Sequence, residues 1–118
     1  GRYRPVGNTD SEQAFCYILQ ELQTEFGETY PPADKLGEKL HALTLELGAK
    51  GIFNFLLSNG EFMFAHCSTK LAHIVRKAPF SVAQLKDEDV KVDFASVTTA
   101  NDRVAVIATI PLTENEQW

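Results

Sequence analysis

Residues 52–67 leave no polar face. Written as two strands around Asn59-Gly60, one side carries Phe53, Phe55, Leu57, Phe62, Phe64 and His66, the other Ile52, Asn54, Leu56, Met63, Ala65 and Cys67. A sheet with one wet face alternates apolar with polar residues, so this hairpin needs cover on both sides. The strands expected are 52–58 and 61–67. Asn-Gly suits the positive φ values of a two-residue type I′ turn, which would set Ser58 opposite Glu61.

Cover for one side is legible upstream. Thr9-Asp10-Ser11-Glu12 reads as a capping box, Thr9 bonding the N–H of Glu12 while the Glu12 side chain returns to the N–H of Thr9. Ala14, Phe15, Ile18, Leu19, Leu22 and Phe26 then fall on one helical stripe, with Gly27 as left-handed stop and Pro31-Pro32 preventing resumption. A second helix is expected over 33–50, with Leu36, Leu40, Leu43 and Leu47 inward and Gly48 and Gly51 ending it.

Downstream the texture stays extended. Residues 71–77 and 90–94 are strand candidates, the latter alternating apolar with charged residues as an edge strand does. Residues 79–89 read as a connection with Lys86-Asp87-Glu88-Asp89 at its solvated tip. Residues 104–110, apolar at nearly every position and closed by Pro111, read as a central strand buried on both faces. The order, two helices and then four or five strands, predicts an α+β fold with a helical layer on one antiparallel sheet that holds 52–58, 61–67 and 104–110. Leu19, Leu22, Leu40 and Leu43 are expected against it. The helices cover only one face. A layer outside these residues, most simply a second sheet, is expected on the other. Gly1 without an initiator Met and an apolar Trp118, which would be stranded at the terminus, fit a segment cut from a longer polypeptide.

Composition narrows the function. The 118 residues carry 11 Lys and Arg against 16 Asp and Glu, a net charge of −5, which argues against a nucleic-acid surface. No apolar run approaches the roughly 18 residues of a bilayer span. Cys16 and Cys67 are too few for a disulfide scaffold, so reduced thiols and a cytoplasmic setting are expected. Neither cysteine has a base: Cys16 has no His one helical turn away, and His66 points to the opposite strand face from Cys67. Both read as small packing residues. His41, His66 and His73 lack metal-ligand spacing, so no metal is expected. The glycines form no phosphate loop.

Val6-Gly7-Asn8-Thr9-Asp10-Ser11-Glu12 resembles the Ser/Gly-x-Thr-Asp-Ser/Thr-Glu segment of class II glutamine amidotransferases, enzymes of the N-terminal-nucleophile hydrolase fold. Gly51-Ile52-Phe53-Asn54, Phe64-Ala65-His66-Cys67-Ser68-Thr69, Arg76-Lys77-Ala78-Pro79-Phe80 and Ile107-Ala108-Thr109-Ile110-Pro111-Leu112-Thr113 extend the likeness to the later half of a bacterial stand-alone branch. The resemblance implies a four-layer αββα sandwich, of which residues 1–118 are the C-terminal part of a single domain. It also implies glutaminase chemistry. A Cys at the mature N-terminus attacks the glutamine side-chain amide, with an Asn-Gly oxyanion hole, and a thioester is hydrolysed.

That nucleophile and oxyanion-hole Asn-Gly lie outside these residues, since Asn59-Gly60 belongs to the hairpin, so no catalytic residue is assigned here and the chain alone is expected to be inactive. One functional residue carries over: Asp10, as ligand of the substrate ammonium. Its position suits the task, because a helix N-terminus favours a negative charge and a carboxylate there can select a free amino acid. Glutamine or a related γ-amide is the expected ligand, and the missing N-terminal half the expected partner. A homo-oligomer is compatible with this reading, and no cofactor is implied. The alternatives are a non-catalytic binding or scaffold module of the same fold, and an independent domain using Cys67 as nucleophile.

Overall fold

Helix α1 spans Asp10–Phe26 and α2 Ala33–Gly48 in a computed structural model that describes residues 1–87 and 89–118. Thr9 Oγ1 accepts the Glu12 N–H at 3.3 Å, and Gly27 closes α1 at φ 62° with its N–H on the Gln23 carbonyl. Strands β1 (Phe55–Ser58) and β2 (Met63–His66) follow, then β3 (Ala72–Lys77), β4 (Val82–Gln84), β5 (Lys91–Asp93), a single helical turn α3 (Phe94–Val97) and β6 (Arg103–Ala108). The fold is α+β with antiparallel pairing throughout. The chain divides into two compact units, Gly1–Ser68 and Thr69–Trp118.

In the first unit α1 and α2 pack on the β1–β2 hairpin. Ile18, Leu36, Leu40 and Leu43 form the buried core, with Tyr17, Leu22, Phe26, Leu47, Leu57 and Phe64 packed around it. Burial alternates strictly along both strands: Phe55, Leu57, Phe64 and His66 are half-buried, while Leu56, Ser58, Met63 and Ala65 are exposed. The two faces are those expected, and the second is uncovered, with Ile52 at 77%, Leu56 at 50% and Met63 at 54% exposure.

The turn differs from the type I′ expectation. Ser58 pairs with Met63 and not with Glu61, so residues 59–62 form the loop. Among the described residues only Gly60 there has positive φ, at 92°; Asn59 instead turns its side-chain oxygen onto the N–H groups of Glu61 and Phe62, at 3.0 and 2.9 Å. An Asn that caps its own turn competes with the I′ geometry, which needs positive φ at both positions. The register moves by two residues and the faces survive.

The second unit corrects the single-sheet expectation. β1–β2, β3–β6 and β4–β5 are separate two-stranded sheets. β6 pairs with β3 alone among the described residues and is not buried on both faces: Val104 and Val106 are half-buried, while Arg103 and Ala105 are exposed. Two of its apolar positions are alanines, which bury little. β4 lies inside the stretch read as a connection. It pairs with nearby β5 and is bound to the distant C-terminal segment through the Leu85–Thr113 bridge and the Asn115 side chain, which receives the Gln84 N–H at 2.9 Å and donates to the Val82 carbonyl at 2.8 Å. Phe94 starts α3 rather than ending a strand, because Asp93 caps the turn by accepting the Ala95 N–H. Lys86, Asp87 and Asp89 are exposed, and Glu88 of that expected tip lies outside the described residues.

Trp118 is not stranded: its indole N–H donates to Thr113 Oγ1 at 2.8 Å. Thr113 donates to Glu116, whose carboxylate takes a two-pronged ion pair from Arg76 at 2.6 and 2.7 Å. The Arg76 guanidinium stacks 4.4 Å from the Phe94 ring centroid.

Candidate functional site

The start of α1 opens into a groove of ≈ 710 Å³ whose lining includes Asp10, Gln13, Tyr17, Lys50 and Ile52. That volume is in the range of small-ligand sites. Asp10 is the first helical residue and is exposed. Its neighbours divide the local structural work between them. Thr9 caps the helix, and Ser11 donates to the Thr9 hydroxyl at 3.4 Å.

Glu12 does not return to the N–H of Thr9, as a capping box would have it. Its carboxylate reaches further back, taking the Val6 N–H at 2.7 Å and the Gly7 N–H at 2.9 and 3.1 Å. These bonds, Gly7 first and Val6 second, hold the Glu12 carboxyl below the usual carboxylate range. A Cβ at Gly7 would lie 2.5 Å from Glu12 Oε2, so a side chain there would make the carboxylate shift. Among the described residues, no hydrogen bond or ion pair engages the Asp10 carboxylate.

The far wall joins the two helices. The Tyr17 hydroxyl donates to Glu46 at 2.6 Å, a bond that, with burial, pushes the phenol up to about 12. Lys50 brings a positive charge to the groove, its Nζ 6.0 Å from the Tyr17 ring centroid. A carboxylate without a partner among the described residues and an ammonium in the lining of the same groove suit a zwitterionic ligand.

Two of the separated motifs meet beside this groove. Ser68 accepts the Phe53 N–H at 3.0 Å and donates to the Phe53 carbonyl at 2.6 Å, while its own N–H reaches the Asn54 side chain at 2.8 Å. Phe53 stacks on Phe55 with centroids 5.4 Å apart, and His66 packs against both rings, at 5.1 and 5.4 Å. His66 is thus a packing residue, while Cys67 beside it is exposed and Cys16 half-buried, both free thiols. The motifs at 76–80 and 107–113 belong to the second unit. Among the described residues no three His, Cys, Asp or Glu side chains gather as metal ligands, and no helix is long and apolar enough to cross a membrane. The reach of Glu12 to Gly7 and the Tyr17–Glu46 bond escaped sequence reasoning. A glycine five residues before a capping glutamate was the available signal for the first; the second had none, its partners being 29 residues apart.

Comparison with known proteins agrees with the motifs. The family described as glutamine amidotransferases class-II matches residues 1–118. The chain is 51% identical over 118 residues to the Escherichia coli K12 protein named "Putative glutamine amidotransferase YafJ", covering all of this chain and 46% of that one. It is 46% identical over 115 residues to a Haemophilus influenzae protein named "Putative glutamine amidotransferase", covering 98% of this chain and 39% of that one. A crystal structure described as that of a predicted glutamine amidotransferase from Pseudomonas aeruginosa PA01 superposes with a TM-score of 0.84 at 51% identity, over 98% of this chain and 46% of that one. The chain therefore spans less than half the length of these relatives. With the motif at Val6–Glu12, the matching fold and the match over every residue, the chain belongs to the class II glutamine amidotransferases.

Proposed function

We propose that the protein carrying this chain hydrolyses the side-chain amide of glutamine, or of a closely related γ-amide, and that Asp10 binds the substrate α-ammonium. The nucleophile is a Cys at the mature N-terminus, outside these residues. Its thiolate displaces ammonia to form a thioester, and water releases glutamate. Residues 1–118 supply the C-terminal part of one amidotransferase domain, a four-layer αββα sandwich in which a second sheet covers the exposed side of the β1–β2 hairpin. The whole protein works in the cytoplasm. The observation that carries the reading is the division of labour at α1: Thr9 and Glu12 serve the helix start and its loop, while the Asp10 carboxylate is left to the groove.

Asp10→Asn in the full-length protein tests it. The cap is untouched, so stability changes by less than about 1 kcal/mol. Loss of the charge opposite a partly buried ammonium costs on the order of 2–5 kcal/mol, roughly thirty-fold to several-thousand-fold in kcat/KM. An electrophile without an α-amino group still labels the N-terminal Cys at near the original rate. A fall in kcat/KM of less than about threefold removes Asp10 from the ammonium site.

A further inference from the structure

We propose that Glu12 is a positioning residue for the Asp10 site, clamping the Val6–Gly7 backbone so that the segment leading into Asp10 holds one conformation. The inference rests on the reading of Asp10 as ammonium ligand. Val6 is 99% exposed, and Gly7, Asn8 and Thr9 are exposed as well, so packing does not hold this segment. What holds it is the Glu12 carboxylate, through N–H bonds from two consecutive residues at 2.7 and 2.9 Å. Charge-assisted bonds of this kind are stronger than neutral ones. Gly7 completes the clamp because a side chain there would displace the carboxylate. Residues 6–9 run directly into the N-cap and Asp10, so their backbone conformation sets how the helix start presents the Asp10 carboxylate to the groove. A mobile segment in that place would have to be ordered at each binding event, and the cost would appear in glutamine affinity.

The test uses the full-length protein, with glutamine as substrate and amide exchange at Val6 and Gly7 as the structural readout. Glu12→Ala is expected to speed exchange at both amides and to raise KM about tenfold, with kcat within about twofold. The melting midpoint holds, since Thr9 still caps. Glu12→Gln keeps one acceptor oxygen and recovers most of the KM. Gly7→Ala, at a residue without positive φ, reproduces the rise with the carboxylate still present. Faster exchange with unchanged KM overturns the inference and leaves the Asp10 reading standing. So does a lowered midpoint with kcat and KM impaired together, the mark of a merely structural role. A wild-type protein that neither binds nor hydrolyses glutamine overturns both.

Discussion

The Tyr17 phenol is where the first unit's electrostatics can be read most directly. Its bond to Glu46 raises the hydroxyl from 10.0 to about 12, because an ionised phenol would face a carboxylate. A raised folded-state value means the contribution is fully present below pH 10.0 and is lost as pH climbs toward 12. Alkaline titration of the phenolate absorbance is expected to show a step near pH 12 that vanishes in Tyr17→Phe. With Glu46 exposed to screening, the substitution costs about 1 kcal/mol or less at neutral pH. If the amplitude lost in Tyr17→Phe lay near pH 10 instead, the helix–helix bond would be absent in solution. Glu12 carries the opposite sign. Acid that protonates its depressed carboxyl releases the clamp on Val6 and Gly7, while full exposure of the group to solvent keeps the effect on the melting midpoint small.

At the scale of elements, an ion pair joins the fastening of the C-terminal segment. Arg76 on β3 and Glu116 expose only 10% and 11% of their side chains, and the guanidinium holds the Glu116 carboxyl below its usual range. Glu116→Ala would strand a buried guanidinium, at a cost of about 3 kcal/mol. Acid weakens the same link, since Glu116 stabilises the fold above 4.5 and ceases to do so as pH falls through its depressed value. Thermal melts of wild type and Glu116→Ala check both; equal midpoints at neutral pH would sink the prediction.

This pair also marks where the sequence stops being readable. The helices, their caps and both faces of the hairpin follow from local signals: Thr9, Gly27, Pro32 and alternation from Phe53 to His66. The fastening of β4 by Thr113 and Asn115, and the pairing of Arg76 with Glu116 across 40 positions, depend on residues that no local period connects. At the candidate site, the Thr9 cap and the place of Asp10 at the helix start were legible in the motif, while Glu12 was assigned the wrong N–H because a capping box and a loop clamp share one sequence pattern.

At the scale of the whole molecule, the first unit presents an exposed apolar surface. Ile52, Leu56 and Met63 stand exposed on one side of the hairpin and the segment leading into it, and exposed apolar surface of this kind drives association. The isolated 118-residue chain is expected to self-associate and to bind an apolar dye. Leu56→Lys with Met63→Lys should suppress both effects without unfolding the first unit, because its core is built from the opposite face. In the full-length protein the same pair of substitutions should have the reverse consequence. If a second sheet covers this face, two charges placed against it cost more than the roughly 1.5–3 kcal/mol that each lost apolar side chain would otherwise contribute. The protein would melt earlier and lose the proposed glutaminase activity along with its fold. Solubility gained in the short chain and stability lost in the long one would together identify the face as an internal layer. A full-length protein indifferent to both lysines would show that the face is open to solvent there too, and would remove the second sheet from the proposed architecture.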